Sequence, residues 1–136
     1  MHRLRRAIGG LAADESGASP VEFVLVGTLL TLLTLAVLQF GLAVYVRNVV
    51  HDAAVEGAFH AALADTTLAD GVERTRTIVA RTVGPEYAAD VSARETEVLG
   101  QPTVEISVRA PLPLIGLLGA PRMLEVSAYA PLESLD

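Results

Sequence analysis

Hydrophobic and polar positions fall into three regimes along this chain. From Phe23 to Val46 there is no charged residue. Those 24 residues make roughly 36 Å of helix at about 1.5 Å per residue, against a hydrocarbon core of about 30 Å. The run can span a bilayer with some tilt. Beyond it, Val46, Val49, Val50, Ala53, Ala54, Gly57, Ala58 and Ala61 recur at spacings of three and four. Arg47, Asn48, Asp52, Glu56 and His60 take the other side. This is the amphipathic helical period, so the pattern predicts one long helix over about 19–64. Its outer half has a narrow, Ala-rich stripe suited to close packing.

Residues 65–71, DTTLADG, read as a turn or loop, and 72–83 as a short second helix with Val72, Ile78, Val79 and Val83 roughly on one side. Gly84-Pro85 stops it. The period then changes to two. Val91 and Ala93, leading to Glu97-Val98-Leu99, alternate imperfectly. Val104, Ile106 and Val108 alternate cleanly with polar residues, as do Leu124, Val126 and Ala128. These are half-buried strands of an antiparallel sheet with one face packed and one wet. Gly100-Gln101-Pro102 reads as the tight link between the first two, and the long helix is the natural cover for the packed face. The predicted fold is α+β: a long N-terminal transmembrane helix extending into a small head with a short second helix and about three antiparallel strands. Residues 111–121, PLPLIGLLGAP, are an apolar loop between the second and third strands. The loop can fold onto the core, touch the membrane surface or meet a neighbouring subunit.

Charge orients this arrangement. Residues 1–16 carry Arg3, Arg5 and Arg6 against Asp14 and Glu15, whereas residues 48–136 carry a net charge of −7. The positive-inside rule then places the N-terminus in the cytoplasm and the head outside. Residues 1–17 read as a basic cytoplasmic leader, 18–64 as the transmembrane and amphipathic helix, and 65–136 as the extracytoplasmic head. A cleavable secretory signal fits poorly, because its apolar core is shorter and is followed by small residues, whereas this run ends in Tyr45-Val46-Arg47. The acidic head argues against nucleic acid as a partner. With no cysteine in the chain, disulfides and thiol chemistry are excluded.

Candidate chemistry is sparse. No nucleophile elbow, zinc-protease, phosphate-loop or dinucleotide motif occurs. His51 and His60 are nine residues apart, about 13 Å along a helix, too far for one metal. Glu56 and His60 make a surface pair at i, i+4. The sequence thus points away from an enzyme and implies no cofactor or metal. Inside the apolar run, Ser19-Pro20 fits a helix start, with Ser as N-cap and Pro in the first turn. There Glu22 is favoured by the helix dipole. Gly27 and Thr31 form a small-xxx-small pair, and the hydroxyls of Thr28, Thr31 and Thr34 can bond back along the helix or across to another. Gln39 is the one strongly polar group deep in the run. It belongs either on a helix–helix face or at the outer interface.

One motif carries more than physics alone gives it. Gly17-Ala18-Ser19-Pro20-Val21-Glu22-Phe23, followed by a spanning run, resembles the cleavage site of a type IV prepilin-like protein. Gly precedes the cut, Glu is the fifth mature residue and an aromatic the sixth. With the blocks from Val21 to Val26, Gln39 to Arg47 and Ala53 to Ala58, residues 15–62 resemble the TadE-like family of tight-adherence (Flp) pilus assembly proteins. Two features depart from that pattern: Pro20 lies close to the cut, and the mid-helix Pro common in relatives is missing. The resemblance implies a minor pilin or pseudopilin of a pilus or secretion machine in the cytoplasmic membrane. It implies cleavage after Gly17 by a prepilin peptidase, with Gly17, Ala18, Glu22 and Phe23 as the processing site. It further implies assembly with other pilin-like subunits and a platform through Glu22, alongside helix packing at Gly27, Thr31 and Gln39. A membrane-anchored extracytoplasmic binding domain, unrelated to a pilus, is the alternative.

Overall fold

The computed structural model describes residues 15–113 and 123–134. In chain order they form α1 (Glu15–Ala62), α2 (Leu68–Thr82), a 3-10 turn (Pro85–Ala88) and the strands β1 (Asp90–Val98), β2 (Gln101–Pro111) and β3 (Met123–Pro131). Most of the predicted leader and residues 114–121 of the apolar loop lie outside the described residues. Contacts divide the chain into two units, residues 1–38 and 39–136.

In the first unit, every described side chain from Gly17 to Leu38 is exposed. Among them are Phe23 at 80% and Leu25 at 68%. An apolar surface so complete is that of a helix meant for lipid or for other helices. By length and composition it is a candidate membrane span, and the protein is membrane-anchored. The helix does not start at Ser19-Pro20 as the sequence suggests. It begins a turn earlier and carries Pro20 inside. Proline's fixed φ suits a helix, but here its missing N–H forfeits the bond to the carbonyl four residues back and its ring crowds that carbonyl.

The second unit is built where the apolar surface narrows to a stripe. Val46, Val50, Ala53, Ala54, Ala58, Ala61 and Ala62 of α1 are buried. They share one core with Val79 of α2 and with Val91, Val104, Ile106, Val108, Leu124, Val126, Ala128 and Ala130 of the sheet. The strand order is β1-β2-β3. Asp90 opposes Arg109 at one end of the first antiparallel pair and Val98 opposes Gln101 at the other. Thr103 opposes Pro131 and Pro111 opposes Met123 in the second. The alternation read from sequence is therefore the alternation found. The turn lies one residue earlier than expected, at Leu99-Gly100, which adopt φ of 52° and 80°. Two positive φ values in a two-residue loop are the type I′ geometry that follows strand twist, and Gln101 and Pro102 enter β2.

Helix α2 also starts earlier, because Thr67 caps it. The Asp70 N–H donates to Thr67 Oγ1 at 3.2 Å, and the Thr67 N–H donates to Asp70 Oδ2 at 2.8 Å. Two orphan donors are satisfied reciprocally. The Thr67 hydroxyl also donates to Asp70 Oδ2 at 2.8 Å, and this bond first, then that from the Thr67 N–H, holds the Asp70 carboxyl below its ordinary pKa. The buried residues of α2 are Gly71, Thr75 and Val79, whereas Val72, Ile78 and Val83 are half-buried. The reason is the crossing with α1. A Cβ on Gly57 would overlap Thr75 Oγ1 and lie 2.7 Å from the Gly71 carbonyl oxygen. One on Gly71 would lie 2.6 Å from the Gly57 carbonyl oxygen. At this crossing Thr75 Oγ1 donates to the Gly71 carbonyl at 2.9 Å. Glu56 pairs with Arg74 of α2, whose Nε donates to it at 2.9 Å, and not with His60. The end of α1 is tied down from the far end of the chain, the Glu133 N–H donating to the Ala62 carbonyl at 3.0 Å.

Gly57→Ala and Gly71→Ala are expected to destabilise the head by about 1–3 kcal/mol through overpacking, despite alanine's better helix propensity. Gly27→Ala and Gly41→Ala, where an added Cβ meets nothing within 4 Å, should not. Urea unfolding of the detergent-solubilised full chain, followed by circular dichroism, separates the two pairs.

Candidate functional site

The residues singled out from the sequence lie along α1. Gly17, Ala18, Glu22 and Phe23 occupy its first three turns and are exposed. At about 100° and 1.5 Å per residue, Gly27 and Thr31 lie within about 40° of each other, whereas Glu22 lies roughly 140° from Gly27 and 180° from Thr31. Within the first unit these groups are strung along the helix and share no common pocket, whereas Gln39 belongs to the second unit. A contact using Glu22 and a contact using the Gly27/Thr31 pair involve different neighbours.

The threonine alternatives resolve within the chain. Thr28, Thr31 and Thr34 donate to the carbonyls of Val24, Gly27 and Leu30 at 2.8, 2.9 and 2.8 Å. Each hydroxyl is satisfied one turn back, so its methyl group and the bare Gly27 present an apolar, close-approach surface. Gln39 is half-buried, in the second unit, and already has an interaction partner.

A second polar constellation escaped the sequence. The wet face of the sheet stacks its side chains in cross-strand rows, set by register: Asp90–Arg109–Glu125, Ser92–Ser107–Ser127 and Arg94–Glu105–Tyr129. Glu105 is only 5% exposed although it faces away from the core. Its carboxylate accepts from Arg94 Nε, from the Tyr129 hydroxyl at 3.2 Å and from the Ser107 hydroxyl at 3.4 Å. Ser107 and Ser127 share a hydrogen bond of 2.9 Å. The Arg94 bond, more than the opposing effect of burial, holds the Glu105 carboxyl below its ordinary 4.5. In return Glu105 raises the pKa of both Arg94 and Tyr129. A groove of about 380 Å³ runs over the serine row, between Arg94 and Arg109. Arg94, Glu105, Ser107, Ser127 and Tyr129 bond to one another here and Arg109 pairs with Glu125, which makes the cluster first of all a cover for the central strand. Only strand alternation marks Glu105 in the sequence, and alternation reports a wet position, not a partner two strands away. Among the described residues no group of three or more His, Asp or Glu is placed to hold a metal ion.

The pH dependence of the Glu105 cluster has a definite sign. Its folded pKa is lowered, so on acidification through 4.5 the unfolded chain takes up the proton first. The stabilisation is present above that value and lost as pH falls through the folded pKa. In Glu105→Gln this part of the acid limb should flatten, bringing wild type and variant closer in stability at about pH 3 than at about pH 7. Urea titrations across that range check it, and a gap that widens on acidification contradicts the assignment.

Comparison with known proteins finds a likeness in the helix. The family model described as TadE-like protein matches residues 17–58. The match contains Gly17, Ala18, Glu22, Phe23, Gly27, Thr31 and Gln39, together with the buried stripe as far as Ala58. It ends before α2 and the sheet. The resemblance read from the motif is thus met over these residues, and it implies a component associated with a tight-adherence pilus. No curated protein and no solved structure matches the chain significantly.

Proposed function

We propose that the protein is a minor pilin or pseudopilin-like structural subunit of a tight-adherence (Flp, type IV-like) pilus assembly or secretion machine. The observation that carries this reading is the TadE-like match over 17–58, which covers most of α1, including the exposed apolar part that opens with Gly17, Ala18, Glu22 and Phe23. On this reading the helix sits in the cytoplasmic membrane, N-terminus inside, and the acidic head lies outside. A prepilin peptidase cuts between Gly17 and Ala18. The new amine at Ala18 is then a cation at the membrane edge, and the Glu22 carboxylate of a neighbouring subunit is its counter-charge. Unpaired charges at that depth are costly, so each favours the other. The Gly27/Thr31 face, well away from Glu22 around the helix, packs a second neighbour at close range. The protein acts through these contacts with pilin-like subunits and an assembly platform, without catalysis and without cofactor.

One feature favours the alternative, an anchored binding domain with no place in a pilus. It is the polar groove over Ser92 and Ser107 on the head.

Mass spectrometry of the membrane-extracted protein, from cells that hold the peptidase, should find a chain beginning at Ala18. Glu22→Ala should leave that cut in place and reduce incorporation into the assembled machine at least several-fold. An intact leader in such cells, with normal incorporation of Glu22→Ala, would overturn the reading and leave the binding domain.

A further inference from the structure

At the end of the sheet where β2 finishes and β3 begins, the described residues present an exposed apolar side chain, Met123. Pro111 opposes Met123 there. Beside it, within the second unit, runs the last part of the apolar stretch of α1. Ala43, Val44 and Arg47 of the helix line a groove of about 380 Å³ together with Leu112, Met123 and Leu124. Met123 is 60% exposed, Tyr45 51% and Val44 40%. Among the described residues no element covers this corner. Glu125 also borders the groove, but it pairs with Arg109 at 3.5 Å, which leaves the Arg47 guanidinium as the cation beside the apolar walls.

Charge fixes the level of this corner. Arg47 is the first charged residue after the uncharged run 23–46, so the last residues of that run, Ala43 to Val46, fall at a lipid–water boundary. Tyr45 and Arg47 are the residue types that settle at that depth, an amphipathic ring and a cation on an apolar stem. Ala43 and Val44, from the end of the uncharged run, form one wall of the groove, within the second unit.

We infer that the β2–β3 end of the head docks on the bilayer and that a phospholipid occupies the groove. Its phosphate lies at Arg47, and the upper part of an acyl chain lies against Val44, Leu112 and Met123. The head is then fixed to the membrane at two places: through α1 and through this corner. The hairpin tip at Leu99-Gly100 is at the opposite end of β2, eleven residues away, about 36 Å at 3.3 Å per residue, and stays in water. Docking rests on the membrane anchor alone and holds whether or not the protein belongs to a pilus.

The chain has no tryptophan and no cysteine, so single reporters can be placed without background. The full-length Met123→Trp and Leu99→Trp variants are reconstituted in vesicles of phosphatidylcholine and phosphatidylglycerol, with and without brominated acyl chains. Both sites are exposed in the folded head. Bromine should quench Met123→Trp several-fold more strongly than Leu99→Trp, and aqueous iodide should do the reverse. Equal quenching by bromine at the two sites overturns the inference. So does a Met123→Trp emission shielded from iodide yet untouched by bromine, because a protein, such as a second copy, then covers the corner. Met123→Cys carrying a nitroxide gives the same test with a different side chain. Greater accessibility to dissolved oxygen than to a water-soluble nickel chelate supports docking, and the opposite order excludes it.

Discussion

Backbone meets backbone where α1 crosses α2, and the head depends on that approach. Gly57 and Gly71 are each too close to the other's carbonyl for a side chain to intervene. Thr75 fills the remaining space and turns its hydroxyl onto the Gly71 carbonyl. With the two helices this close, Ile106, the largest side chain buried below 2% exposure, reaches the crossing from the sheet. Its Cδ1 lies 3.3 Å from where a Cβ on Gly71 would be. The scarcity of aromatics, 4% of residues, follows from the same geometry. A core whose layers lie so near one another is filled by Ala and Val, and a ring would hold them apart.

The long helix, its Ala stripe and the inward faces of β2 and β3 were legible because each is a local period in the sequence. Features that depend on partners far along the chain were not. Thr67-Leu68-Ala69-Asp70 is a capping box, but Gly71 directly after it looks like loop chemistry until Gly57 is seen pressing on it. Leu99 gives no hint of a positive φ. The turn falls there because the register Val98 to Gln101 leaves two residues to close it. Glu105 is a wet position by alternation and a buried one in fact, since Arg94 and Tyr129 arrive from both neighbouring strands. At Pro20 a local rule pointed the wrong way. Proline marks helix starts because it costs little there; one turn further in it forfeits a hydrogen bond and crowds the carbonyl four residues back, at about 3 kcal/mol, and the helix runs on through it all the same.

The candidate site was legible for a different reason. It is linear, so spacing along one helix gives its geometry without any tertiary information. Position around the helix adds what a motif cannot, namely that Glu22 and the Gly27/Thr31 pair face apart. A helix with two such faces is suited to an array in which each copy touches more than one neighbour. A simple dimer seam would gather them on one side.

The surface of α1 also explains why one helix serves as anchor and as spine. Up to Leu38 every described side chain is exposed and most are apolar. From Val46 onward the apolar positions shrink to a stripe, and the sheet and α2 close over it. Lipid accepts an apolar surface all round, whereas a head in water must bury its apolar side and leave the rest polar. The change from one regime to the other falls between Gln39 and Arg47, and the open corner at Val44 and Met123 lies in that interval. A surface there is neither fully inside the bilayer nor free of it. Beside its aliphatic walls it carries an exposed thioether and a guanidinium on an apolar stem, and these side chains tolerate both surroundings.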